Sequence, residues 1–197
     1  MYDILFLSNN MKTECITGPI DFNLKQALDS TPVMTNKNCH HFPNGEIYWG
    51  SLVNDKPEGW GEYRWPNGNK YIGYFRAGYI HGKGTFYSIT GETYEGFFMN
   101  GCMFGKVTIY FKDGGKYVGN IENNTMNGLG IYSFPNGDKY QGNFSNGARH
   151  GWGVYTWDNG CAYQGNWRNG ERHGCGTFID SEGNSHTEVW KNGVLLQ

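Results

Sequence analysis

From residue 42 onward the chain alternates large apolar side chains with polar residues and glycine. In the segment 71–75, Tyr71, Gly73 and Phe75 share one face, and in 82–86 Gly82, Gly84 and Phe86 do the same. A period of two marks β-strands. Two series of turn signals separate these short segments. One is Asn44-Gly45, Asn67-Gly68, Asp113-Gly114, Asn136-Gly137 and Asn159-Gly160. The other is Asn100-Gly101, Asn146-Gly147, Asn169-Gly170 and Asn192-Gly193. In the first series the dipeptides predict type I′ hairpins, which need positive φ at both central residues. Strand, turn, strand, turn is an antiparallel meander.

The pattern recurs at one constant step without insertion. Tyr-x-Gly begins at Tyr48, Tyr71, Tyr94, Tyr117, Tyr140 and Tyr163, a 23-residue period. Only Gly18 and Gly115 of the 31 glycines fall outside repeat columns, and Val107 interrupts the column Gly61, Gly84, Gly130, Gly153, Gly176. A single-layer sheet has no second sheet to cover its apolar face. The tyrosines share a face with Leu52, Phe75, Phe98, Ile121, Phe144, Trp167 and Trp190, and neighbouring strands offer glycines there. Rings laid flat over those glycines give the sheet its own packing partner. A further column, Tyr63, Phe86, Ile109, Tyr132, Tyr155 and Phe178, extends this face. The expected fold is all-β: a single-layer, elongated, twisted antiparallel meander of hairpin repeats, each adding about 10 Å along the sheet.

Tyr-x-Gly-x-(Trp/Phe)-x-x-Gly, then Gly-x-Gly, then Asn-Gly, at this period resembles the MORN repeat (membrane occupation and recognition nexus). The stretch from Asn159 to Gly176 fits it best. The expected array spans 42–197, about six full repeats and a terminal half. Residues 1–41 stand outside it as an N-terminal cap with a short strand at Tyr2–Leu7 and a short helix at Asp21–Ser30. The resemblance implies a cytoplasmic scaffold, at cytoskeletal or membrane-associated assemblies, that accepts partner helices and dimerises through its array. The strip Tyr71, Phe75, Tyr94, Phe98, Tyr117, Tyr140, Phe144, Tyr163 and Trp167 is the candidate groove for a helix or extended peptide. Self-association through the C-terminal repeats is a further expectation, because no helix shields the last strand.

The opposite face varies along the chain. Its first strands carry Trp49, Ile72, Tyr74, Phe97 and Val118 early and Gln141, Asn143, Gln164 and Asn166 late. Its second strands carry Lys83 and Lys106 early and Leu129, Ile131, Trp152, Val154 and Ile179 late. Variation inside a repeat array marks a second candidate contact surface.

Charge narrows the function. Lys plus Arg is 16 and Asp plus Glu is 18, a net charge of −2, so no nucleic-acid grip by charge is expected. The alternative reading is peripheral binding of acidic phospholipids through Lys70, Lys116, Lys139, Arg149, Arg168 and Arg172, which needs a cationic cluster. No 18-residue apolar run and no basic, long-apolar leader is present. Five scattered cysteines fit a reducing compartment better than a disulfide framework.

No catalytic constellation, cofactor or metal site is expected. Gly78 to Gly84 (GYIHGKG) has the wrong glycine spacing for a phosphate loop and lacks the hydroxyl after Lys83. His81, His150 and His173 share one column, at least a full repeat apart, too far to share a metal. Cys39-His40-His41 is dense but has no second ligand pair.

Overall fold

The computed structural model describes residues 38–197, so the strand and helix expected at Tyr2–Leu7 and Asp21–Ser30 lie outside the described residues. The chain divides into two compact units, 38–109 and 110–197 within the described residues. The first holds β1 (Cys39–His41), β2 (Ile47–Val53), β3 (Lys56–Arg64), β4 (Lys70–Arg76), β5 (Tyr79–Tyr87), β6 (Thr93–Met99) and β7, which runs Cys102–Tyr110 up to the boundary. The second holds β8 (Lys116–Glu122), β9 (Thr125–Ser133), β10 (Lys139–Ser145), β11 (Ala148–Thr156), β12 (Ala162–Arg168), β13 (Glu171–Ile179), β14 (Ser185–Lys191) and β15 (Val194–Leu195). Within each unit strand order follows chain order and the pairing is antiparallel.

The register explains the glycines. Gly73 lies opposite both Gly61 and Gly84, and Gly142 opposite both Gly130 and Gly153. The Tyr71 ring lies over Gly73 and Gly84, and a Cβ on either would collide with its hydroxyl. Tyr48, Tyr117, Tyr140 and Tyr163 occupy the same slot in their own repeats. The other glycine of Gly-x-Gly has a different purpose. Gly82, Gly128, Gly151 and Gly174 have φ between +63° and +72° and sit opposite register shifts of the kind a bulge makes.

The two turn series differ, which corrects the type I′ expectation. In the first series only the glycine has positive φ: Gly68 is at +91° and Asn67 is not left-handed. Gly68 N donates to Trp65 O at 3.0 Å, and Trp65 N donates to Asn69 O at 3.0 Å. This is a longer loop closed by a left-handed glycine. Its Asn supplies a side-chain acceptor, Oδ1, to the Asn69 amide at 3.0 Å. The type I′ geometry belongs to the second series, where Asn146 and Gly147 are at +49° and +79°.

Leu196 N donates to Val189 O, and Val189 N to Gln197 O, so β15 and the residues after it cover the open edge of β14. Cys39, Cys161 and Cys175 are free thiols.

Candidate functional site

The strip read as a groove is the buried core. Tyr71, Phe75, Tyr94, Phe98, Tyr117, Tyr140, Phe144, Tyr163 and Trp167 are between 0% and 7% exposed. In the regular repeats the slot tyrosine is clamped edge-on by the aromatic of its own strand and by that aromatic's equivalent in the next repeat. Tyr71 stands 5.2 Å from Phe75 and from Phe98, and Tyr140 stands 5.2 Å from Phe144 and 5.3 Å from Trp167. Such edge-to-face pairs add about 0.5–1.5 kcal/mol each beyond the area they bury. The hydroxyl needs a partner in this dry slot. Tyr140 donates to Asn143 O at 2.9 Å and Tyr117 to Asn120 O at 2.8 Å, while the Tyr163 hydroxyl is buried without one. Burial pushes Tyr48, Tyr94 and Tyr140 up to about 12.

The surface of this face is made by a column that sequence reasoning passed over: Trp65, Phe111, Phe134 and Trp157, each two residues beyond the extended column and just before an Asn-Gly or Asp-Gly turn. Their signal was a 23-residue recurrence inside what reads as turn sequence. Trp65, Phe134 and Trp157 are half-buried. In the second unit they form a continuous ladder: Tyr132 to Phe134 at 4.6 Å, Phe134 to Tyr155 at 5.5 Å, Tyr155 to Trp157 at 5.0 Å, and Trp157 to Phe178 at 5.8 Å. In the first, Trp65 lies between Tyr63 at 4.9 Å and Phe86 at 5.7 Å, tilted to both.

Polar groups pin the ladder. The Tyr155 hydroxyl donates to Asp138 at 2.5 Å, and the Asp158 amide donates to the same carboxylate at 3.0 Å. The Tyr155 bond, foremost, holds the Asp138 carboxyl below the ordinary carboxylate range. Glu46 takes the same part for Tyr63 at 2.5 Å.

At the other margin the cover changes along the chain. Ile80, Met103 and Met126 are buried there, and Arg149 and Arg172 take the same column in later repeats. The Arg149 guanidinium lies 4.4 Å over Trp167 and donates to Gly170 O at 2.6 Å. Arg172 lies 3.4 Å over Trp190 and 3.7 Å from Glu188. Glu188 stands where earlier repeats have glycine, and its buried carboxylate also accepts the Trp190 indole N–H at 2.8 Å.

The six basic candidates do not share one face. Arg149 and Arg172 lie on the glycine–aromatic face, half-buried against rings. By register, Lys70, Lys116, Lys139 and Arg168 lie on the opposite face. There Lys70 sits 4.2 Å over the Tyr87 ring and Lys116 4.9 Å over Tyr110.

The histidine column has a structural purpose. His173 Nδ1 faces Asn192 Oδ1 at 3.1 Å, and in the same column Glu58 accepts the Ala77 amide at 2.7 Å, each tying a strand to the next hairpin turn. Cys39 lies 3.6 Å from His41, while His40 turns to Gly50 O at 3.1 Å. Among the described residues no three such ligand side chains converge.

Hairpin repeats whose tyrosines fill glycine slots define a repeat-built β-sheet protein. The MORN repeat model matches residues 48–70, 71–93, 117–139, 140–162 and 163–185, more than half of the chain. The chain belongs to the MORN repeat family. Among solved structures it is similar to the SAS-4 (dCPAP) TCP domain of Drosophila melanogaster in complex with a proline-rich motif of Ana2 (dSTIL). That match has 13% identity and a TM-score of 0.52, over 88% of this chain and 99% of that one. The wild-type TCP10 domain of Danio rerio CPAP matches at 10% identity and a TM-score of 0.32, over 81% of each chain. At 13% identity the likeness to the SAS-4 domain is one of fold alone. No curated protein matches the chain.

Proposed function

We propose that the chain is a non-enzymatic scaffold that binds a protein partner, as a helix or extended peptide, along its glycine–aromatic face. The observation that carries this is the half-buried ladder Phe134, Tyr155, Trp157 and Phe178 beside the half-buried Arg149 and Arg172. Large rigid rings and arginine are the residue types enriched in binding hot spots. The slot tyrosines beneath hold the ladder in place, so the partner meets the outer rings first. Family membership supports this reading, and so does a fold neighbour whose structure contains a bound proline-rich motif.

The test is capture of a partner from the native source by the full chain, compared with Trp157→Ala. We expect Trp157→Ala to weaken binding about tenfold or more with its melting temperature within a few degrees of the parent. Full retention of the partner by a folded Trp157→Ala and Phe134→Ala pair would overturn the assignment to this face. Peripheral binding of acidic lipid is the alternative. Dispersal of the six basic residues over two faces disfavours it, and steep, salt-sensitive sedimentation with phosphoinositide vesicles would restore it.

A further inference from the structure

The opposite face of the second unit carries a band without charge. In register across six strands, Ile131 pairs with Gln141, Gln141 with Val154, Val154 with Gln164, Gln164 with Thr177, and Thr177 with Thr187. The adjoining row is also uncharged and raises Leu129, 65% exposed, and Trp152, 54% exposed. Shallow cavities of about 250 and 320 Å3 flank Trp152, and Lys139 is the one charged residue in their lining. The Asn143 and Asn166 amides are engaged with the Trp152 and Cys175 carbonyls, at 3.1 and 3.5 Å. The Gln141 and Gln164 amides make no such bond among the described residues. The corresponding band of the first unit is charged, with Glu62, Lys83, Glu95 and Lys106.

We infer that this band docks an uncharged, proline-rich segment in the polyproline II conformation, laid across the strands with a proline on Trp152. Three arguments select that occupant. The first is size. Six strands by four residues make roughly 29 by 14 Å, about 400 Å2, half of what each partner gives to a standard protein interface. A second copy packed face to face needs more, whereas a single extended segment fits the width. The second is charge. An uncharged band offers nothing to a charged helix, and desolvating a partner's charges there goes uncompensated.

The third argument is pitch. A polyproline II helix repeats every three residues, about 9.3 Å, and leaves its carbonyls without internal hydrogen bonds. Alternate strands of a sheet lie about 9.6 Å apart. Gln141, Gln164 and Thr187 come from alternate strands β10, β12 and β14, so their donors meet the carbonyls of every third residue. The Trp152 ring, beside that row, supplies the flat surface on which a proline ring stacks. This surface is separate from the ladder of the preceding proposal.

The test uses the full chain and a fluorescein-labelled decaproline, about 31 Å long, against a glycine–serine peptide of the same length. We expect saturable binding of decaproline only, unchanged by added salt because no charge is paired. Trp152→Ala should weaken it about tenfold, and the double variant Gln141→Ala with Gln164→Ala about fivefold. Trp157→Ala, on the other face, should leave it unchanged. Any of four results would overturn the inference: no saturable binding to the parent; parental binding in both folded variants; a steep loss with salt; or loss in Trp157→Ala alone. The last would place the peptide on the ladder and leave the preceding proposal standing.

Discussion

The repeat beginning at Tyr94 and the repeat beginning at Tyr140 solve one packing problem in two ways. In the second, Gly142 and Gly153 leave a slot that the Tyr140 ring fills. In the first, the column glycine is Val107, 2% exposed, and a Cβ on Gly96 would meet Val107 Cγ1 at 2.8 Å and Met103 Cε at 3.4 Å rather than a tyrosine hydroxyl. Aliphatic side chains from the facing strand take the place of the ring. Tyr94 stands 6.2 Å from Phe86 instead and remains buried. The repeat length is unchanged, yet the family model passes from residue 93 to residue 117. What the architecture requires is a filled slot, and the Tyr–Gly pair is one of its solutions.

Alkali should break both solutions and has the largest expected effect. An unfolded tyrosine ionises near 10, whereas Tyr48, Tyr94 and Tyr140 are held neutral to about 12. The stability this represents is complete below pH 10 and is lost as the pH rises towards 12. Melting temperature against pH should be flat to about 9.5 and then fall to cooperative unfolding near 12. A flat profile to pH 12 would show that the slots admit water.

Slot exchange sharpens the comparison. Gly84→Val forces the Tyr71 ring out of its place and should cost roughly 3 kcal/mol. Val107→Gly empties the other kind of slot and should cost about 2 kcal/mol. If a slot only has to be filled, Tyr71→Ala with Gly84→Val should be less destabilised than the sum of the single changes by more than about 1 kcal/mol in urea melts. Strict additivity would mean that the ring itself, not the filling, is required.

A smaller effect separates two regular slots. Tyr140→Phe leaves the Asn143 carbonyl without its donor and should cost about 1 kcal/mol. Tyr163→Phe removes a hydroxyl that has no partner and should be neutral or slightly stabilising. Equal losses in both would point to a bond from Tyr163 that forms in solution.

These contrasts also mark what a sequence can convey. The strands, their period, and the slot beneath Tyr71 were legible because 23-residue recurrence and glycine chemistry both point to one geometry. Turn type was not, because Asn-Gly serves two loops: as Asn146-Gly147 it takes left-handed φ at both positions, while Asn67 lends its side chain to a longer loop. Loop length, set by strand pairing, decides between them. The candidate groove rings are buried, which alternation alone does not convey, because it assigns a side chain to a face but does not say what lies on top of it. Trp65, Phe134 and Trp157 cover that face from within turn sequence, where alternation gives no signal. Arg149 and Arg172 were legible only as candidates for a lipid patch; their placement over Trp167 and Trp190 depends on rings that the next strand brings up.

The smallest expected effect lies at one of those turns. Ala77 has φ +51°, in the left-handed region, where later repeats place Asn100, Asn146 and Asn169 at +49° to +51°. Alanine pays about 1 kcal/mol or more there, because its Cβ crowds the following carbonyl, and asparagine tolerates that conformation better. The Ala77 amide already donates to Glu58 at 2.7 Å, and replacing the side chain leaves that bond in place. Ala77 is exposed, so the larger side chain meets no neighbour that must move. Ala77→Asn should therefore stabilise the chain by about 0.5 kcal/mol, read as a small rise in melting temperature with an unchanged urea m-value. The reverse change, Asn146→Ala, should lower stability by a similar amount. If Ala77→Asn is neutral while Asn146→Ala costs more than about 1 kcal/mol, asparagine acts at these turns through its side-chain amide and not through its backbone preference.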